Sequence, residues 1–252
     1  MSTRVVLLHG IGGGRAIWGD AASGTEQALR EAGFDVRAID FPGYGGRAGE
    51  PTLDAMVQAV LEAAGSRAVL VGHSMGGMVA QEVAAREPVR VQGLVLTCTS
   101  AAFGRADGAW QAQFIAQRLA PREAGLGMAG MADQLVPGMV SPEARPGAQA
   151  IARAVMARVP EATYRVALRA IAAFDRREAL PRIAVPTLLL AAEHDRTAPP
   201  EVMRRMAERI AGSEFRCLVG AGHIANVEQP QAFNAAVLAF LRQHTGLRPA
   251  GA

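Results

Sequence analysis

The sequence predicts an α/β fold on a mostly parallel sheet of about six strands, and three features carry that prediction. Short, nearly continuous apolar runs alternate with longer stretches of helical spacing, the pattern of βαβ units. Glycines punctuate the junctions between them. The alternation fails only over residues 101–181, where helical spacing continues without a strand-like run, so a helical insertion is expected there.

The strand candidates are residues 5–8, 36–39, 68–71, 94–97, 187–191 and 215–219. Each is dominated by apolar side chains without alternation, as a strand covered on both faces should be. Helical patterns at 25–31, 52–63, 76–86, 201–210 and 232–243 fill the intervals, with Gly33, Gly65 and Gly212 just past three of them, where helix C-caps favour glycine. Within the insertion, helices are expected at 110–119, 122–135, 142–159 and 161–174, with Asp107 and Ser141 as N-caps of two of them. Its methionines, Met128, Met131, Met139 and Met156, suit an adaptable apolar surface. The expected organisation is a core of residues 1–100 and 182–245, a helical cap over 101–181 and a flexible tail over 246–252.

Composition removes whole classes of chemistry. All 26 basic residues are arginine, so a Schiff-base lysine, a lysine general base and the P-loop lysine are absent, which excludes PLP enzymes, class I aldolases and Walker-type NTPases. The net charge is only +3 and no arginine run exceeds a pair such as Arg176-Arg177, so no nucleic-acid partner is expected. Before His9 only four consecutive apolar residues follow Arg4, too few for a signal peptide, and no run approaches the ~20 apolar residues of a membrane span. A cytoplasmic protein without membrane association is expected, with Cys98 and Cys217 as buried free thiols in their apolar runs. Nothing in the composition sets an oligomeric state.

The strand at 68–71 runs into Gly72-His73-Ser74-Met75-Gly76 and then a helix, a G-x-S-x-G nucleophile elbow in the strand–turn–helix setting it requires. Ser74 must occupy a strained turn above the sheet, with Gly72 and Gly76 where neighbouring backbones leave no room for a side chain. The bland alternative is a glycine-rich turn with an N-capping serine. A hydroxyl needs a base to take its proton, and the base needs a carboxylate to hold its tautomer. In the order expected for such a site, the strand at 187–191 ends in Glu193-His194-Asp195, and the last strand ends in Gly220-Ala221-Gly222-His223. Asp195 is the preferred acid and Glu193 its competitor, with His223 as base.

Among the other histidines, His9 and His73 are read as loop-ordering groups, His194 as a neighbour of the acid and His244 as a helix-end residue. No histidine pair has the i, i+4 spacing of a zincin, so no metal is expected. The oxyanion needs two backbone N–H donors, expected from Met75 after the nucleophile and from Ile11 in the loop His9-Gly10-Ile11-Gly12-Gly13-Gly14. That loop also permits a dinucleotide-binding reading with Asp40 as the ribose acid, but Arg15 stands where its third glycine belongs.

With these residues in place the chain resembles the α/β-hydrolases from Arg4 to about Leu241. Within them, the helix after Gly72, the loop from Asp195 to Pro200 and the run Gly222-His223-Ile224-Ala225-Asn226-Val227-Glu228-Gln229-Pro230 are similar to 3-oxoadipate enol-lactonases and related carboxylesterases. The resemblance implies Ser74 as nucleophile, His223 as base, Asp195 as its orienter, Ile11 and Met75 as oxyanion donors, and residues 101–181 as a cap over the substrate. The family's antiparallel strands before the HG loop are missing, so about six strands are expected rather than eight.

The function expected is hydrolysis of a small ester or lactone through an acyl-enzyme, without a cofactor. Lyase, perhydrolase or C–C hydrolase chemistry on the same three residues, or a ligand-binding protein that no longer catalyses, are the alternatives. Gly10, Trp18, Phe103, Trp110, Phe114 and Met128 are the candidates for the substrate pocket. Arg15 and Arg105 lie nearest in sequence to its rim, should the substrate carry a carboxylate.

Overall fold

A computed structural model describes residues 2–19, 24–103, 109–123 and 125–244 of the chain. The first half alternates β1 (Arg4–Leu8), α1 (Thr25–Glu31), β2 (Asp35–Ile39), α2 (Leu53–Ala64), β3 (Ala68–His73), α3 (Met75–Arg86) and β4 (Val91–Thr97). Four helices follow, α4 (Ala109–Glu123), α5 (Gly127–Leu135), α6 (Ala148–Ala157) and α7 (Glu161–Ala172). The chain then returns to β5 (Thr187–Ala192), α8 (Pro200–Arg209), β6 (Glu214–Leu218), the short α9 (Ala225–Glu228) and α10 (Pro230–Gln243). All six strands are parallel, in the order β2-β1-β3-β4-β5-β6.

That order reverses at β1, which has β2 on one side and β3 on the other. Connections leaving β1 and β3 therefore diverge at their carboxyl ends and open a crevice between the Gly10–Gly14 loop and Ser74, the place where open parallel sheets take ligands. Beneath it the sheet is dry. Val5, Val6, Leu7, Leu8, Val69, Leu70, Val71, Leu94, Val95 and Leu96 have no exposed surface, as their unbroken apolar runs require. The outer strands differ from expectation, because β2 and β6 each lie at an edge and are only partly covered. Cys217, on β6, is consequently exposed rather than buried, while Cys98 is buried.

Thr52 caps α2 by accepting from the Ala55 N–H at 3.2 Å, and Gly65, with φ of 64°, leaves it. Two helices of the insertion are shorter than their periodicity suggests. The segment expected at 122–135 divides, since Gly125 and Gly127 take φ of 82° and 61° and end α4 before α5 begins. The helix expected from residue 142 begins at Ala148, because Pro146 disfavours helical backbone at Arg145 and Gly147 turns with φ of 84°. Ser141 accordingly caps a local turn, accepting from the Glu143 N–H at 3.1 Å, and not a helix. Asp107 and the tail 246–252 lie outside the described residues.

The ends of the helical segment are stitched together by an isolated antiparallel bridge between Ala102 and Asp175, with the Phe103 N–H donating to the Phe174 carbonyl at 3.0 Å. Arg176 beside this bridge and Arg86 both pair with the buried carboxylate of Glu82 on α3, tying the stitch to the helix that follows Ser74. No helix among the described residues is long and apolar enough to cross a membrane.

Candidate active site

Ser74 stands between β3 and α3 with φ 53° and ψ −116°, a backbone conformation that costs on the order of 1–3 kcal/mol for a residue with a side chain. The surroundings hold it there. Its N–H donates to the Thr97 carbonyl at 3.0 Å, and its own carbonyl accepts from the Thr99 hydroxyl at 2.7 Å. A Cβ on Gly72 would run into the carbonyl of Gly76, and one on Gly76 into that of Leu8, so the elbow closes only with glycine at both positions.

His223 and Asp195 arrive from the carboxyl ends of β6 and β5. His223 Nε2 lies 3.1 Å from Ser74 Oγ, and its Nδ1 lies 2.8 Å from Asp195 Oδ2. The other oxygen of Asp195 accepts from the N–H groups of Thr197 (2.7 Å) and Ala198 (3.0 Å). Burial pushes the Asp195 carboxyl up, but the His223 imidazole and these hydrogen bonds outweigh it and hold the group below its usual range. Glu193, the competing acid, is exposed and accepts from the Gly220 N–H at 2.8 Å, away from His223.

The loop bearing His223 is held by a residue whose part sequence reasoning did not foresee. The buried carboxylate of Glu228 accepts from the N–H groups of Gly222 (2.8 Å), Ile224 (2.9 Å) and Ser141 (2.8 Å). The His223 N–H donates to the Met139 carbonyl at 2.8 Å, so this loop is fastened to the segment between α5 and α6. Burial raises the Glu228 carboxyl above its ordinary range despite those three donors. Glu228, the last residue of the short α9, looks like any solvated glutamate in the sequence; only folding reveals its three donors.

His9 and His73 are the ordering groups expected. His9 Nδ1 lies 2.8 Å from the Gly10 carbonyl and Nε2 accepts from the Phe41 N–H at 3.2 Å, which sets one neutral tautomer. Its burial lowers its pKa to about 4. His73 Nε2 donates to the His223 carbonyl at 2.8 Å, and burial, followed by the neighbouring His223, lowers its pKa to about 3. His73, Cys98 and His223 bring ligand atoms within 4.8 Å of one another. They make a poor metal site, because burial raises the Cys98 thiol well above its usual pKa and His223 already bonds through both ring nitrogens.

Met75 opens α3, where an N–H has no intrahelical acceptor, and Ile11 lies in the turn after β1. Neither N–H has an acceptor among the described hydrogen bonds. The Gly10–Gly14 loop leads only into a three-residue turn, Arg15–Ile17. The loop therefore does not run directly into a long helix, as the strand–loop–helix of a dinucleotide site does.

Two connected cavities meet at Ser74 and His223. Ile11, Gly12, Met139 and Met156 line both. One extends past Met75, Thr99, Phe103, Phe114, Arg118, Tyr164 and Leu168, and the other past Gly10, Ile17, Val136, Ala152 and Ile224. A family model for the alpha/beta hydrolase family matches residues 5–236. The chain belongs to the alpha/beta hydrolase family. A pimeloyl-[acyl-carrier protein] methyl ester esterase of Klebsiella pneumoniae is 32% identical over 95% of this chain and 93% of its own. The enol-lactonase of Burkholderia xenovorans superposes with a TM-score of 0.83 at 28% identity, over 96% of this chain and 92% of its own. A hydrolase of Pseudomonas aeruginosa superposes with a TM-score of 0.81 at 30% identity, over 95% and 90% of the two chains.

Against this alpha/beta hydrolase geometry the expected pocket residues divide. Gly10, Phe103 and Phe114 line the cavities. Trp18 does not: it is fully buried in the core with its ring 6.1 Å from Phe233. Met128 on α5 is buried and lines neither cavity; helical spacing alone does not say which apolar residue of a helix faces a pocket and which faces the core. Arg15 points outward to Asp40, 3.5 Å away, with 71% of its side chain exposed. Arg105 and the side chain of Trp110 lie outside the described residues. Arg118 and Tyr164 are among the cavity residues that the sequence did not single out, and Met139 and Met156 of the expected adaptable apolar surface line both cavities.

Proposed function

We propose that this chain is a serine ester hydrolase acting on a small ester or lactone through an acyl-enzyme. The observation that carries the reading is His223, buried and bridging Ser74 Oγ at 3.1 Å and Asp195 at 2.8 Å. Ser74 Oγ attacks the carbonyl carbon as His223 Nε2 takes the hydroxyl proton, and Asp195 stabilises the imidazolium that forms. The Ile11 and Met75 N–H groups hold the oxyanion. His223 returns the proton to the departing alkoxide, leaving Ser74 acylated. Water then attacks the acyl carbon, His223 takes its proton and gives it to Ser74 Oγ, and the acid leaves.

The esterase and enol-lactonase relatives support ester and lactone carbonyls as the target. Residues 101–181 act as the cap and residues 1–100 with 182–245 as the core, a division supported by cavity walls drawn from both. The test is p-nitrophenyl acetate hydrolysis by the wild type and by Ser74→Ala, together with labelling by a fluorophosphonate. Turnover and labelling that both vanish in a folded Ser74→Ala are expected; a retained rate would refute the reading.

A further inference from the structure

The two cavities that meet at Ser74 differ in charge. Among the described residues no carboxylate lines either one, and the arm past Ile17, Val136, Ala152 and Ile224 is apolar except at Ser74 and the histidines. The other arm has a permanent cation in its wall, Arg118. Its guanidinium lies 4.9 Å from the centre of the Phe114 ring, which packs edge-on against Phe103 at 4.7 Å. It also donates to the buried hydroxyl of Tyr164. Among the described residues Arg118 has no carboxylate partner, whereas Arg15, Arg86, Arg176 and Arg177 each have one. A guanidinium held on an aromatic platform in a cavity wall keeps its donors for an anion that enters with the substrate.

We infer that Arg118, positioned by Phe114 and Tyr164, binds a carboxylate at the far end of the substrate's acyl chain, so that half-esters of dicarboxylic acids are the preferred class. This rests on the ester hydrolase reading above. Ser74, His223 and Ile11 line both arms, and the Arg118 arm is given to the acyl chain because that is the arm with a fixed cation for a charged chain end. The apolar arm then takes the small alkoxy group.

The experiment compares kcat/KM for a homologous series of monomethyl esters of linear dicarboxylic acids with the matched neutral dimethyl esters. The wild type should prefer at least one half-ester over its dimethyl partner, and added NaCl should erode that preference by screening. Arg118→Gln should lower the half-ester to dimethyl ester ratio about tenfold or more, mainly through KM, as expected for a lost charged hydrogen bond. Arg118→Lys should retain part of the ratio, and Tyr164→Phe should lower it less. A wild type indifferent to charge and salt, or a ratio unchanged in Arg118→Gln, overturns the inference. Should Arg118→Gln fail to fold, the salt dependence of the wild type and the Arg118→Lys ratio decide alone. Loss of all activity in the wild type, p-nitrophenyl acetate included, would instead remove the ester hydrolase reading itself.

Discussion

The hydroxyl of Tyr44 donates to the carbonyl of Ile11 at 3.0 Å. Tyr44 is fully buried and its ring lies 4.6 Å from that of His9, so one aromatic group ties the end of β1 to the loop proposed to offer an oxyanion donor. Tyr44→Phe deletes that bond while keeping the ring. It should cost about 1 kcal/mol of stability and lower kcat roughly tenfold with little change in KM, because the donor loses its fixed aim. Steady-state kinetics on p-nitrophenyl acetate check this; an unchanged kcat, or a loss seen only as a raised KM, would count against a positioning role.

Asp195 and Glu193 stand two residues apart, yet only Asp195 reaches His223. Asp195→Asn should reduce kcat by about 10⁴-fold through the wrong imidazole tautomer, whereas Glu193→Gln should stay within about twofold of wild type. Rates measured for both variants side by side would expose a reversed assignment at once.

Glu228→Gln replaces one acceptor oxygen by an NH₂ group facing backbone donors at Gly222, Ile224 and Ser141. Destabilisation of about 1–3 kcal/mol is expected, read as a lower urea midpoint at unchanged slope. Activity should fall as well, since the same three donors hold the His223 loop.

Acid should weaken the fold through its buried histidines. His9 and His73 titrate near 4 and near 3 in the folded chain, below the ordinary value of 6.5. Between those limits the unfolded chain binds protons that the folded one refuses, so stability increases with pH there and is lost as pH falls from about 6.5. Each contributes roughly 2–3 kcal/mol of loss by about pH 4.5. The depressed Asp195 carboxyl acts in the same direction at lower pH, its stabilisation present above the unfolded value and lost as pH falls through the folded one. Urea midpoints across that range should fall steadily, and less steeply for His73→Gln; a flat profile would contradict the buried neutral histidines.

The two cysteines should separate by reactivity. Partial burial and the neighbouring Glu193 raise the Cys217 thiol, but it is exposed on β6, while Cys98 is buried with its thiol raised well above normal. A thiol reagent at neutral pH should modify Cys217 in the native protein and reach Cys98 only on unfolding, counted by absorbance with and without denaturant.

Local chemistry made much of this protein legible in one dimension. Unbroken Val and Leu runs bounded by turn residues fit buried strands, a Gly-His-Ser-Met-Gly turn between strand and helix fits a serine lifted above a sheet, and the chain order of Ser74, Asp195 and His223 follows the order of strand ends. Each such feature depends on neighbours a few residues away. Tertiary structure alone decided the rest. Arg118 and Arg15 carry the same side chain, but one reaches the cavity from α4 and the other pairs with Asp40, and no periodicity distinguishes them. Trp18 went to the core and Cys217 to the surface because burial is set by which element packs against a face, not by the residue's own apolarity. The contacts that choose Asp195 over Glu193, and that join Glu228 to Ser141 between α5 and α6, span 28 and 87 residues of chain, distances at which only folding brings partners together.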